Sequence, residues 1–204
     1  MAGQWLFVVT GLEGLVDIQT ASEQVKRKAA QAINKTVRDY RSRGEKLILQ
    51  EIEFPKGYLS PAGGRLAIGR KASASNPEGS IKAKSKPTSL ARFVSGGGGR
   101  GQGTDVRVTP GKSKTMKRAF LIPLKGGSGV ETKNNMGLAI RLRPGETLSN
   151  KKTARKLDSN LYLLYGPSVD QVFLHSNGQK GVAAEMAPDI QRDVAEEFIR
   201  LMDL

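Results

Sequence analysis

Between Ser22 and Glu51 apolar residues recur every three or four positions: Val25, Ala29, Ile33, Val37 and Tyr40 lie on one stripe. Lys26, Arg27, Lys28, Gln31, Lys35 and Arg38 occupy the other side. That period is the signature of an amphipathic helix with one face committed to a core. Ser22 supplies an N-cap oxygen, and Glu23 and Gln24 suit the first turn. Gly44 weakens the pattern, and Glu45–Glu51 continues it, bent or broken, until Pro55 stops it. A helix this long needs a partner surface, and the rest of the chain is read for what covers it.

The other segments read mostly as strands. Trp5–Thr10 (WLFVVT) is a continuous apolar run that suggests a buried strand ended by Gly11. RLAIGRKA (65–72) and SIKAKSK (80–86) are short alternations separated by a turn-rich link, while SLARFV (89–94) fits a helical turn or a strand. DVRVT (105–109), RAFLIPL (118–124) and LAIRLR (138–143) follow as strands, and Arg107 alternates with Val106 and Val108. In LAIRLR, Leu138, Ile140 and Leu142 point one way and Ala139, Arg141 and Arg143 the other, predicting an antiparallel sheet with an apolar and a basic face. RAFLIPL and LAIRLR are expected to pair across a long loop at 126–136.

NLYLLYGPSVDQVFLH (160–175) reads as a strand, a Gly166-Pro167 turn and a further apolar stretch, followed by a turn at Asn177-Gly178. Pro188 and Asp189 are expected in the first turn of a closing helix. Its apolar stripe is Ile190, Val194, Phe198 and Leu201, and its acidic residues are Asp189, Asp193, Glu196 and Glu197. The fold class is therefore α+β: an antiparallel β-sheet core packed with a long N-terminal amphipathic helix and a C-terminal helix, with long Gly-rich loops. One domain over 1–204 is expected, carrying a basic Gly/Ser-rich insert around 73–103.

The net charge of +14 is confined to the middle of the chain. Residues 65–156 hold 21 Lys/Arg against 4 Asp/Glu, whereas the remainder holds 12 against 15. A block of this sign attracts polyanions, either nucleic acid or an acidic protein surface. The plainer alternative is a solvated basic surface that aids solubility. Candidate partner or DNA-backbone contacts are Arg107, Lys112, Lys114, Lys117, Arg118, Arg141, Arg143, Lys151, Lys152, Arg155 and Lys156. Between Phe93 and Tyr162 the only aromatic is Phe120, so base stacking is not expected and any contact reads the backbone.

Catalytic patterns are scarce. The chain has no cysteine and a single histidine, which leaves no disulfide framework, no thiolate metal site and no His-rich centre. No cofactor is expected. Gly111-Lys112-Ser113 resembles the end of a Walker A loop, but the position five before Gly111 is Val106, inside a strand-like alternation. Ser168, Asp170 and His175 arise from one short stretch without a nucleophile elbow, so His175 reads as an ordinary strand-end residue. Glu51 with Glu53, and Glu196 with Glu197, read as solvated charge. No apolar run reaches the ~20 residues of a membrane span, and the N-terminus lacks the basic region of a signal peptide. Synthesis in a cytoplasm is expected, and the absence of cysteine fits a reducing interior.

Three motifs in order resemble a known family. AAQAINKTVRDYRSR (29–43), with its Ala32-Ile33-Asn34-Lys35 core, resembles the helical segment of phage minor tail protein Z and related tail-completion proteins. TPGKSKTMKRAFLIPL (109–124) looks like that family's basic linker and Ala-Phe strand, here Ala119-Phe120. LYLLYGPSVDQVF (161–173) is similar to its Tyr-Gly-Pro-Ser-Val segment, here Tyr165–Val169. The resemblance implies a non-enzymatic virion protein at the head-proximal end of a long tail, in the tail or neck region, made in the host cytoplasm. It implies a homo-oligomeric ring, expected to be six-fold, with tail-tube, terminator or connector proteins as neighbours, non-specific contact with DNA in the channel, and no membrane. Gly96, Gly97, Gly98, Gly99, Gly126, Gly127 and Gly129 are then expected in slack assembly loops ordered by neighbours. The basic middle and the acidic closing helix are expected to offer complementary head-to-tail contacts. The alternative is a basic protein that binds nucleic acid without sequence preference.

Overall fold

The computed structural model describes residues 21–124, 135–148, 153–176 and 179–202, together with the backbone of 4–9. In chain order the elements are β1 (Gln4–Val9), α1 (Glu23–Glu51), β2 (Leu66–Ile68), β3 (Gly79–Lys84), β4 (Thr88–Ser89), β5 (Val94–Gly97), β6 (Thr104–Thr109) and β7 (Lys112–Met116). There follow β8 (Ala119–Pro123), β9 (Met136–Arg141), β10 (Ala154–Lys156), β11 (Leu161–Gly166), α2 (Val169–Leu174), β12 (His175–Ser176), β13 (Gln179–Lys180) and α3 (Val182–Met202). Single 3-10 turns occur at Pro61–Gly63 and Leu90–Phe93, the latter opening the SLARFV segment that then enters β5. Every strand pairing is antiparallel, which makes the fold α+β. The contacts gather into two compact units: Met1–Ile48 with Leu59–Ser85 and Val169–Leu204, and Leu49–Tyr58 with Lys86–Ser168.

In the first unit α1 runs unbroken through Gly44. Its start is capped as the sequence predicts, the Ser22 hydroxyl accepting from the Val25 amide at 3.4 Å. Ala29, Ile33, Val37 and Tyr40 are buried, and Ala30, Ala32 and Ile48 widen the stripe. The helix survives its glycine because Gly44 faces the core, where burial of neighbouring side chains outweighs the ~1 kcal/mol propensity penalty. A three-stranded sheet in the order β1-β3-β2 belongs to this unit, with Trp5 opposite Ala83 and Leu66 also opposite Ala83. Its middle strand β3 comes from the stretch that reads as a Gly/Ser-rich insert. Ile81 and Ala83 are buried there, so that stretch contributes core rather than only excursion.

In the C-terminal third one reading gains an element and one needs correction. The further apolar stretch, Val169–Leu174, is a helix, because Val169, Val172 and Phe173, all buried, recur at helical spacing. The closing helix begins at Val182, two turns before Pro188, which lies inside it. Val182, Ala183 and Met186 extend the buried stripe of Ile190, Val194 and Phe198 backwards, and this burial offsets the amide that proline lacks. The turn expected at Asn177-Gly178 lies outside the described residues; the flanking β12 and β13 pair with His175 opposite Lys180.

The second unit holds two sheets. One has the order β10-β11-β9-β8, with β4 pairing the end of β11; the other has the order β5-β6-β7. RAFLIPL and LAIRLR pair as expected, Ala119 opposite Ile140 and Leu121 opposite Leu138. The two-faced reading of LAIRLR holds for Leu138, Leu142, Arg141 and Arg143 but fails at Ala139, which is fully buried beside Leu138. Both faces are covered at this point, so the basic face is confined to the end of the strand. A small aromatic group completes the core: Phe54 stacks on Tyr58 at 5.1 Å and meets Phe93 at 5.6 Å, and the Tyr58 hydroxyl lies 3.0 Å from that of Thr88.

The glycine run is not a slack arm. Gly96 and Gly97 belong to β5 and pair with Asp105 and Thr104. Gly98 is buried, its amide donating to the Gly103 carbonyl at 2.8 Å and its carbonyl accepting from Leu121 at 3.0 Å. Gly98 has φ +99°, and a Cβ there would sit 2.9 Å from Leu121 Cδ1. Only glycine meets both conditions, so the run specifies a tight β5–β6 turn against β8. Gly126, Gly127 and Gly129 lie outside the described residues.

Candidate functional site

The structure divides the candidate cations into two groups. Arg107 is held by Glu53 at 2.5 Å, and Arg118 makes a two-pronged contact to Glu146 at 2.9 and 3.0 Å. Glu146 also accepts from the Arg143 amide at 2.7 Å, and that bond, with Arg118 beside it, lowers its pKa. Arg141 donates to the Asn160 side chain at 2.9 Å. In contrast, Lys112, Lys114, Lys117, Arg143, Arg155 and Lys156 are exposed with no carboxylate partner for their side chains among the described residues. Lys151 and Lys152 lie outside the described residues.

Topology places four of these cations, Lys112, Lys114, Arg155 and Lys156, on edge strands. β7 is the outer strand of its sheet, and Lys112 to Thr115 are all exposed. Lys112 and Lys114 are two residues apart on β7 and so share one side of it, Lys114 opposite Val106 and Lys112 opposite Thr109 across an irregularity in the register. Lys117 follows directly, its backbone packed against Gly103. β10 is the outer strand of the other sheet and carries Arg155 and Lys156 on opposite faces. Through the pairings of β11, Arg155 shares a face with Arg141. Lys156 lines a hollow of about 300 Å³ with Leu142, Ala154 and Tyr162.

Charge follows the units. Residues 49–58 and 86–168 hold 17 Lys/Arg against 6 Asp/Glu, a net of +11. The remainder holds 16 against 13, a net of +3. Within that nearly balanced unit the acidic residues of α3 are largely neutralised. Asp189 pairs with Arg43 at 3.0 Å and Arg192 at 3.2 Å; Asp193 and Glu196 also pair with Arg192. Glu185 alone of the described α3 carboxylates forms no ion pair. The acidic helix thus offers a second copy far less free charge than its sequence suggests.

Glu197 departs from the sequence reading as well. It is buried, not solvated, and contacts Arg200 at 2.6 Å and Lys35 at 3.2 Å. The Arg200 hydrogen bond, opposed by burial and helped by Lys35, holds its carboxyl down at about 2. The clue was its place three residues after Val194 and beside Phe198, which sets it on the buried stripe. Glu197, Tyr40, Asp193 and Lys35 line a cleft of about 380 Å³ whose charged walls bind one another. Sequence reading also missed Asn34, whose side-chain amide donates to the Ala72 carbonyl and accepts from the Ala72 amide, both at 2.9 Å.

Ser168, Asp170 and His175 do not resemble an assembled triad. Ser168 and Asp170 are buried, His175 is exposed, and Asp170 Oδ1 has no hydrogen-bond partner. Burial raises the Asp170 pKa, against the pull of His175. Among the described residues no three metal-ligating side chains cluster, and no helix is long and apolar enough to cross a membrane. Comparison with protein-family models, curated proteins and solved structures returns no match.

Proposed function

We propose that this chain is a structural virion protein of a long-tailed phage, acting at the head-proximal end of the tail as a tail-completion or neck ring subunit. The observation that carries the reading is the placement of the three family-like segments. Each supplies residues to a fold-defining element, the Pro167-Ser168 step of the third joining two of them. The Ala-Ile-Asn triplet lies in α1, with Ala32 and Ile33 buried and Asn34 tethering the backbone at Ala72. Ala119-Phe120 opens β8, and Tyr165–Val169 leads from β11 into α2. Motifs that specify framework are the ones expected to persist across a family of assembly subunits. On this reading the subunits close into a ring, six-fold by the resemblance, against connector, terminator or tail-tube neighbours, and the chain works without cofactor or catalysis. Quantitative mass spectrometry of purified particles, combined with symmetry-resolved imaging of the neck, tests this. The expected result is a fixed copy number matched to the ring. A chain absent from particles and monomeric in solution overturns it.

A further inference from the structure

We infer that the β6–β7 ribbon, continued through Lys117, is a binding surface for the phosphate backbone of duplex DNA. Unlike the assembly reading above, this rests only on the geometry of one ribbon and stands or falls separately.

The ribbon collects cations that the fold leaves uncommitted. Lys112, Lys114 and Lys117 are exposed and have no carboxylate partner among the described residues, while Arg107 and Arg118 beside them are neutralised by Glu53 and Glu146. The nearest acid on the ribbon, Asp105, is engaged by the Thr115 hydroxyl at 2.6 Å and shares the opposite face from Lys114. Lys112 and Lys114 stand ~7 Å apart along the open edge strand at 3.3–3.4 Å per residue, and Lys117 lies in the turn that follows it. Arg100 is exposed on the neighbouring β5–β6 turn, whose Gly103 packs on the Lys117 backbone.

A cluster of free ammonium groups with no unengaged acid among them suits a uniformly charged partner better than a protein surface of mixed sign. No aromatic side chain lies on β6 or β7, so single strands gain no stacking platform and bases are not read. Duplex DNA, held by its phosphates and without sequence preference, is the partner these features select.

The test uses the full chain and a fluorescein-labelled duplex of arbitrary sequence, followed by anisotropy from about 50 to 200 mM salt. The expected result is a linear fall of log K with log salt. Substituting Lys112, Lys114 and Lys117 by Ala together should make that slope shallower by about 2.7, three phosphate contacts at 0.9 each. An equal charge loss on the exposed face of α1, by Arg27→Ala, Arg38→Ala and Lys46→Ala, should leave the slope unchanged. Absence of binding at low salt overturns the inference. So does equal loss in both triple variants, or tighter binding of polyglutamate than of the duplex. If the ribbon variant keeps its slope and instead aggregates, the lysines only guard an open strand edge and the inference falls.

Discussion

The hydroxyl of Tyr40 on α1 donates to the carboxylate of Asp193 on α3 over 2.7 Å, in a position where the ring is almost fully buried. The bond ties two elements 153 residues apart and gives a polar partner to an aromatic on an otherwise apolar stripe. Tyr40→Phe is expected to lower stability by about 1.5–3 kcal/mol in urea unfolding, the ordinary value of a hydrogen bond to a charged acceptor. The variant also bears on the alkaline limb. Burial, and then the bond to Asp193, push the hydroxyl up from its usual 10.0, so the fold favours the neutral phenol. That contribution is complete below pH 10 and is lost as pH rises above it. Tyr40→Phe should therefore flatten the fall in stability above pH 10; an unchanged alkaline limb would show that Tyr40 is not its source.

Glu197 sets the opposite limb. Its carboxyl is held near 2 against an ordinary 4.5, so the folded state favours the ionised form. A depressed folded value contributes stability above pH 4.5 that is lost as pH falls towards 2. Glu197→Gln keeps the shape but removes the charge that Arg200 and Lys35 share. A loss of about 1–3 kcal/mol at neutral pH is expected, discounted because both cations are largely exposed, together with a shallower acid limb between those two values. Thermal unfolding followed from pH 7 to pH 2 reads both effects.

Gly44 faces the buried side of α1, and a Cβ there would lie 3.2 Å from Phe173 Cε2 and 3.3 Å from Met186 Cε. Two terms of opposite sign meet at this position. Alanine gains roughly 1 kcal/mol of helix propensity, while the crowded neighbours must move by a few tenths of an ångström, which the unbranched Met186 allows. Gly44→Ala is expected to stay within about 1 kcal/mol of the parent. Gly44→Val adds two methyl groups against the Phe173 ring and is expected to cost about 2–3 kcal/mol by overpacking. Chemical denaturation of the pair checks the contrast, and a valine variant as stable as the parent would show that this face is loosely packed.

Legibility from sequence followed the length of the pattern. α1 was readable because its stripe repeats over many turns, and the β8–β9 pairing because two apolar strand segments flank a single intervening loop. Val169–Leu174 is only six residues, too short to separate a buried strand from a buried helix. Pro188 misled because proline favours a first turn, whereas Val182, Ala183 and Met186 supply enough burial to begin the helix earlier. A run of glycines carries no side-chain period at all, and what orders Gly98 is a backbone bond from Leu121, far along the chain. For the candidate surface, the identity of the cations was plain and their neutralisation was not. Glu53 reaches Arg107 across 54 positions and Glu146 reaches Arg118 across 28, and no local pattern encodes such pairings.

Arg41 is the sharpest instance, a buried cation inside an apolar helix face. Its Nε donates to the Leu66 carbonyl at 3.1 Å, an Nη donates to the Leu59 carbonyl, and the other Nη meets Glu45 at 2.7 Å. Leu59 and Leu66 are themselves fully buried, so removing the guanidinium strands their carbonyl groups away from solvent. Arg41→Ala is expected to cost about 3 kcal/mol or more, from unmet acceptors and a lost aliphatic stem. Arg41→Lys should recover little of this, because one ammonium cannot reproduce a planar fork aimed at three oxygens. Arg38→Ala, on the exposed side of the same helix, should stay within about 0.5 kcal/mol and serves as the control. Urea unfolding of the three variants separates the possibilities: a lysine variant as stable as the parent would mean that charge alone, and not the fork geometry, holds the segment from Leu59 to Leu66 against α1.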